Sequence, residues 1–189
     1  MPMLSRTAIE ALGFSSIGEN IQISSHATFY GNYRIKLGNN VRIDDFCVLA
    51  AGLGGIDIGN YVHIATGSSL IGAGKITLSD FSGLSSRVSI YSSSDDYSGS
   101  VLTNPTVPSK FTNVANADVF LGKHVIVGSG SVILPGVTLE EGVAIGALSL
   151  VRKDCKAFGI YAGNPVRRIK ERKHDLLKLE ELFISTKIT

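Results

Sequence analysis

A chain of 189 residues, 44% hydrophobic and 18% charged with a formal net charge of +2, has material for one domain with a real core, and not for two. So balanced a charge argues against nucleic acid as the main partner, and no stretch approaches the ~18 uninterrupted apolar residues of a membrane span. Cys47 and Cys155, far apart, make no disulfide framework, and the N-terminal MPMLSRTAIEALGF lacks the apolar run of a signal peptide, so the cytoplasm is the expected location.

Residues 1–16 read as a capping segment holding a short helix, SRTAIEAL, with Ser5 as N-cap and Gly13 just past its end. From Ile17 a beat of six takes over: Ile17, Ile23, Phe29, Ile35, then Leu37, Ile43, Leu49, then Ile58, Ile64, Leu70, Ile76, then Leu78, Leu84, Ile90. It resumes with Leu121, Val127, Ile133, Leu139, Ile145 and Val151. Six is neither the 3.6 of a helix nor the 2 of a half-buried strand. It suits a coil of short flat sides, each sending one aliphatic residue to the axis, with Gly, Asn and Asp at tight corners. IGEN, LGNN, IDDF and IGNY supply such corners. Four residues after each aliphatic stands a mostly small residue, and both cysteines fall in that class, so they read as packing residues. Three sides per turn give about six coils over residues 17–156, an all-β parallel solenoid. The pattern resembles the hexapeptide-repeat family, which implies a left-handed parallel β-helix; the spacing alone does not set the hand.

Residues 91–118, YSSSDDYSGSVLTNPTVPSKFTNVANAD, abandon the beat partway round the fourth turn. An insertion this long in a compact repeat domain is usually functional or disordered. Its Tyr91, Tyr97 and Phe111 give it something to pack with, so it reads as an ordered arm bordering an active site and reaching a neighbouring subunit.

Beyond the arm, GKHVIVGSGSVILPGVTLEEGVAIGALSLVRKD and IYAGNPVRRIKER resemble the C-terminal coils of hexapeptide acyltransferases, with their closing A-G-x-P motif and basic helix. The resemblance implies a homotrimer that holds acyl-CoA between subunits. Gly128, Ser129, Gly146 and Ala147 would let pantetheine lie against strand backbone near Pro165, and Arg152, Lys153 and Arg168 would neutralise phosphates. Residues 157–189 form a C-terminal extension, with a terminal helix expected over residues 166–184 whose Leu176, Leu179 and Phe183 pack on the solenoid.

Sugar O-acetyltransferases of this superfamily use a histidine near the loop as general base, because a hydroxyl is a weak nucleophile. This arm has no histidine and instead carries Asp95 and Asp96, ten residues after Ser85 and Ser86. An amine with a pKa near ~8, by analogy with an α-amino group, is partly unprotonated at neutral pH and attacks a thioester without a strong base. A carboxylate suffices to orient it and stabilise the developing positive charge. FSGLSSRVSIYSSSDDYSG resembles nucleotide-sugar N-acyltransferases acting on amino-dideoxy sugars. The expectation is an acyl-CoA-dependent N-acyltransferase, with acetyl as the simplest acyl group and a nucleotide-linked amino sugar as acceptor. Its product would feed surface polysaccharide or glycan synthesis. Asp95 or Asp96 would orient the amine, with help from Ser85 or Ser86; adjacent extended residues point opposite ways, so one acid of the pair faces the site. His63 is the alternative base, for a sugar or polysaccharide O-acetyltransferase, and a non-catalytic β-helix scaffold is the alternative outside enzymes. His124 should point outward and His174 should be solvated. The four histidines are dispersed, so no metal is expected. Arg34, Arg42 and Asp44 lie on the coil surface, with nothing in the sequence to tie them to a nucleotide.

Overall fold

The computed structural model describes residues 2–186; the outer ends of the terminal segments, residue 1 and residues 187–189, lie outside the described residues. The six-residue beat becomes a left-handed triangular prism whose sides are strands of two to four residues. The first sheet stacks Ser16–Ile17, Ile35–Leu37, Ile56–Ile58, Ile76–Leu78, Val119–Leu121 and Thr138–Leu139. The second opens with Gln22–Ile23, Arg42–Ile43, His63–Ile64, Gly83–Leu84, Ile126–Val127 and Ala144–Ile145. The third holds Thr28–Tyr30, Val48–Ala51, Ser69–Gly72, Ser89–Tyr91, Val132–Ile133 and Leu150–Val151. All these neighbours pair in parallel, so side chains of like position form columns down the axis. Ile23, Ile43, Ile64, Leu84, Val127 and Ile145 make one such column, each at most 3% exposed.

One column carries a defect. Val41, Val62, Val125 and Val143 each immediately precede a strand of the second sheet and are buried. Ser82 holds the same place in its coil, and its hydroxyl has no hydrogen-bond partner among the described residues. A buried, unpaired hydroxyl costs about 1–3 kcal/mol, more than the loss of one oxygen's packing. Ser82→Ala is therefore expected to raise stability by about 1 kcal/mol, read as a higher unfolding midpoint in denaturant.

The corner between the first and second sheets departs from simple turn chemistry. Asn20 and Asn40 take positive φ there, as expected, but so do Tyr61, Phe81, His124 and Phe158. A left-handed conformation costs such a residue roughly 1–2 kcal/mol. Ring stacking offsets much of this: Tyr61 lies on Phe81 at 4.9 Å and 7°, and Phe81 on His124 at 5.2 Å and 18°. An amide ladder joins the coils beside these rings, with Asn39 N–H donating to Asn60 Oδ1 and Asn60 N–H to Asp80 Oδ1.

At the N-terminus, α1 (Arg6–Ala11) is capped by Ser5, whose hydroxyl accepts from Ala8 N–H at 3.2 Å. At the other end the expected helix over residues 166–184 is corrected. Val166–Glu171 is a strand, and α2 spans only Asp175–Ser185. The last solenoid strand, Gly159–Gly163, would otherwise present a row of unpaired backbone groups; the chain turns at Asn164–Pro165 and pairs antiparallel with that edge. Helix α2 then docks on the aromatic corner, with Phe183 edge-on to Tyr61 at 5.3 Å and Glu180 taking bonds from Lys123 Nζ at 2.5 Å and His124 Nε2 at 2.8 Å. Leu179, expected to pack inward, is exposed; Glu180, one residue on, takes the docking position. His124 points outward but is covered by α2, and His174 is not simply solvated: its ring stacks on Phe158 at 3.9 Å.

Candidate active site

The outer surface of the second sheet carries two rows of residues along the axis. One passes through Arg42, His63, Gly83, Ile126 and Ala144, set by strand register. The other, two residues further along at the corner with the third sheet, passes through Asp44, Ala65, Ser85, Gly128 and Gly146, joined by backbone hydrogen bonds between successive coils. The turns that follow also stack: Gly130 N–H donates to Ser86 O at 3.0 Å and Leu148 N–H to Ser129 O at 2.9 Å. Pro165 arrives at the same corner on the hairpin tip, where Gly163 N–H donates to Ser149 Oγ at 3.1 Å. Ser85, Ser86, Gly128, Ser129, Gly146, Ala147 and Pro165, spread over eighty residues of sequence, thus share one edge of the prism.

A cleft of about 520 Å³ opens along that edge between Arg87, Ser129, Gly130, Ala147 and Leu148. Sequence reasoning missed Arg87 and Leu148. Both take positive φ, which throws their side chains outward, and Leu148 is 79% exposed. The guanidinium of Arg87 has no partner among the described residues. Nothing in a one-dimensional pattern distinguishes it from other surface arginines. The glycines acquire a further reason as well. A Cβ on Gly128 would lie 2.4 Å from Ala147 N, and one on Gly146 would lie 3.0 Å from Ala162 Cβ, so stacking of the coils alone accounts for both.

Three of the expected cationic residues lie elsewhere. Arg152 and Lys153 follow Leu150–Val151, at the far end of the third face from the cleft. Arg168 lies on the hairpin strand and is paired with Glu171.

The arm leaves the solenoid at that same far end. Its base is pinned: Ser92, fully buried, donates to Gly74 O at 2.8 Å, and Ala117 N–H donates to Ser92 O at 3.1 Å. Above it Ser93–Ser94 pairs antiparallel with Ala115–Asn116, a short stalk that holds the next two residues out. They part there. Asp96 is bound into the arm, accepting from Ser98 N–H at 2.6 Å and from Asn113 Nδ2 at 3.4 Å, and these bonds hold its carboxyl below the usual range. Asp95 is exposed, and its carboxylate has no hydrogen-bond or ion-pair partner among the described residues. It lines two clefts, one of about 770 Å³ walled by Ile71, Pro105, Val107, Pro108 and Val114, the other of about 500 Å³ shared with Asp96 and reaching Tyr97 and Leu102.

Asp95 and Ser85 lie on opposite sides of the third face, whose strand Ser89–Tyr91 runs between them. The five residues 87–91 that cross this face span roughly 15–20 Å at about 3.3 Å per residue, too far for one small ligand group to touch both on a single chain.

His63 is half-exposed and held by Asp44, whose Oδ2 lies 2.8 Å from its Nε2 while Oδ1 accepts from Arg42 Nε at 2.7 Å. Burial works to raise the Asp44 carboxyl, but the bonds from Arg42 and His63 outweigh it and leave the group below its ordinary value. His26 stacks on Phe46 at 5.5 Å one coil further up. Both cysteines are buried, and burial lifts the Cys155 thiol to about 11, which suits packing rather than nucleophilic chemistry. Among the described residues no three His, Cys, Asp or Glu side chains gather to hold a metal ion, and no helix is long and apolar enough to cross a membrane.

No family model matches the chain. The dTDP-4-amino-4,6-dideoxy-D-glucose acyltransferase of Escherichia coli is 56% identical over 183 residues, 97% of this chain and 95% of its own length. AntD, an N-acyltransferase from Bacillus cereus solved with dTDP and 3-hydroxybutyryl-CoA, superposes with a TM-score of 0.96 at 42% identity over the whole of both chains. A serine-to-cysteine variant of the same enzyme, solved with dTDP-4-amino-4,6-dideoxyglucose and coenzyme A, superposes with a TM-score of 0.94 at 42% identity, over 97% of each chain. Its solved variants replace a serine and an aspartate ten positions apart, the spacing of Ser85 from Asp95 and of Ser86 from Asp96.

Proposed function

We propose the following reaction for this chain, which belongs to the hexapeptide-repeat nucleotide-sugar N-acyltransferase family. It transfers an acyl group from acyl-CoA to the amine of a nucleotide-linked amino-dideoxy sugar, of which dTDP-4-amino-4,6-dideoxyglucose is the first candidate. The observation that carries the site assignment is the contrast between the two acids: Asp96 is hydrogen-bonded within its own arm, while the Asp95 carboxylate is free and alone of the two lines the larger cleft.

The amine nitrogen attacks the thioester carbon, the carbonyl π electrons move to oxygen, and collapse of the tetrahedral adduct expels the CoA thiolate. One ammonium proton leaves with that thiolate. Asp95 accepts a hydrogen bond from the amine, aims its lone pair and stabilises the positive charge on nitrogen as it develops. Ser85 supplies a second bond at the coil surface. Gly128, Ser129, Gly146, Ala147 and Pro165 line the path of the pantetheine arm, and Arg87 supplies phosphate charge beside it.

Because Asp95 and Ser85 lie apart on one chain, the complete site forms between copies, with the arm of one subunit reaching the glycine-lined edge of the next. The separation of the two groups supports a site shared between subunits, and the likeness to the hexapeptide acyltransferases makes the assembly a homotrimer of three such sites. Arg152 and Lys153, on the arm's side of the prism, then face the same cleft from the neighbouring copy. The reading also carries action in the cytoplasm, with the amide product passing to surface glycan synthesis.

The test is thiol release from acyl-CoA with matched nucleotide-linked sugars bearing either an amine or a hydroxyl. Turnover with the amine alone is the expected outcome. Turnover with the hydroxyl, lost on substitution of His63, would return the reading to an O-acyltransferase.

A further inference from the structure

The third sheet differs from the other two on its outer surface. The chain has 18 Lys and Arg and 16 Asp and Glu. None of them stands in the strands Thr28–Tyr30, Val48–Ala51, Ser69–Gly72, Ser89–Tyr91, Val132–Ile133 or Leu150–Val151. The first sheet, by contrast, turns Lys36 and Asp57 outward, and the second Arg42 and His63. Register sets two outward rows on the third face: Thr28, Val48, Ser69, Ser89, Val132 and Leu150 in one, Tyr30, Ala50, Ile71 and Tyr91 in the other. Their only polar side-chain groups are hydroxyls. An outer face of six strands without a charge has the composition of the centre of a protein–protein interface, from which charged residues are depleted.

The corners that bound this face carry exposed apolar side chains. Phe46 lies in the turn that enters Val48–Ala51 and takes positive φ, which leaves its ring 66% exposed. Leu53 lies in the turn that leaves the same strand and is 82% exposed. Ser85 and Asp95 bear the same relation to Ser89–Tyr91, two strands further along the sheet, one before the strand and one after it. A rotation about an axis parallel to the prism keeps every coil at its own height. The contact that joins Ser85 to the partner's Asp95 therefore also carries Phe46 to the partner's Leu53, roughly 10 Å nearer the N-terminal coils at 4.8 Å per strand.

From these features we infer that the third face is the seam between copies of this chain: it faces a threefold axis parallel to the prism, with Phe46 at one corner packed on the partner's Leu53 at the other. The inference rests on the shared site proposed above and adds which surfaces build it. Because the two corners differ, the contact is head-to-tail and closes only as a ring. The corner between the first and second faces, where α2 docks, then points away from the axis.

The experiment uses the full chain carrying both Phe46→Cys and Leu53→Cys. Within one chain roughly 13 Å of strand lie between these positions, beyond the Cα separation of about 7 Å that a disulfide tolerates, so they can join only across a seam. After mild oxidation by diamide and blocking of free thiols, a non-reducing denaturing gel is expected to show linked species of two and three chains and none larger. Either single variant should give single chains, the native Cys47 and Cys155 being buried. Single chains from the double variant would leave Phe46 and Leu53 to another occupant and overturn the seam; ladders beyond three would overturn the closed ring. Leu53→Asp, at a position that costs a lone chain little, is expected to reduce the mass in solution from three chains to one and to lower amine acylation at least tenfold. Leu182→Asp, which alters an exposed leucine on α2, should keep both mass and activity. The reverse result would move the seam to the α2 corner and overturn the inference. A monomeric wild type that still acylates the amine overturns the seam and leaves the reaction standing. A wild type that cross-links as expected but acylates only a hydroxyl upholds the seam and fails the reaction.

Discussion

Asp95→Asn is expected to lower kcat for amine acylation by roughly 10²–10³-fold, the usual consequence of removing one preorganised electrostatic group from a reacting centre. KM for acyl-CoA should stay near the wild-type value, since Asp95 acts on the acceptor's amine and not on the CoA that lies along the glycine-lined edge. Asp96→Asn should behave differently. Asp96 accepts from Ser98 and Asn113, so its loss loosens the arm, and the variant should show a more protease-sensitive arm with a smaller fall in kcat. If Asp96→Asn collapses kcat and Asp95→Asn does not, the assignment of the two acids is reversed. Mixing chains tests the shared site directly. Asp95→Asn and Ser85→Ala proteins, each weak alone, should regain part of the activity when refolded together, because some sites then combine an intact arm with an intact coil. No recovery in mixed assemblies would place both groups within one chain.

Gly128→Ala is expected to be the most destabilising single methyl addition along the donor edge, at about 3 kcal/mol. The added Cβ would lie 2.4 Å from Ala147 N, which is backbone and cannot turn aside, so the two coils must part. The adjacent coils below pass the strain on, since Gly128 N–H donates to Ile145 O at 2.8 Å in the same ladder. Denaturant unfolding gives the size of the effect, and CoA calorimetry on the folded fraction shows what remains of the donor site. A stability equal to wild type together with lost CoA affinity would instead make room for pantetheine the sole reason for this glycine.

The sequence alone determined the prism, because a period of six is local information repeated many times over. Ile23, Ile43, Ile64 and Leu84 each state it again, and no single residue has to be read correctly for the pattern to stand. The same redundancy made the arm legible as the place where the beat stops. Its chemistry was half legible: the absence of histidine and the presence of two acids pointed to an amine, but Asp95 and Asp96 are equivalent in one dimension. Only the tertiary structure separated them, since it engaged Asp96 with Asn113, seventeen residues on. The same holds for the chain's end. The sequence reads residues 166–171 as the start of a helix whose apolar spacing lies further on, at Leu176, Leu179 and Phe183, yet a strand edge left open by Gly159–Gly163 claimed them, and an edge exists only once the coils are stacked. Arg87, and the Asp44 that fixes Arg42 against His63, are likewise properties of neighbouring coils about twenty residues apart. Repetition told the chain how to fold; which side chains then met at one edge was decided by the stacking of coils, where register and hydrogen-bond partners are set between residues that are not neighbours in sequence.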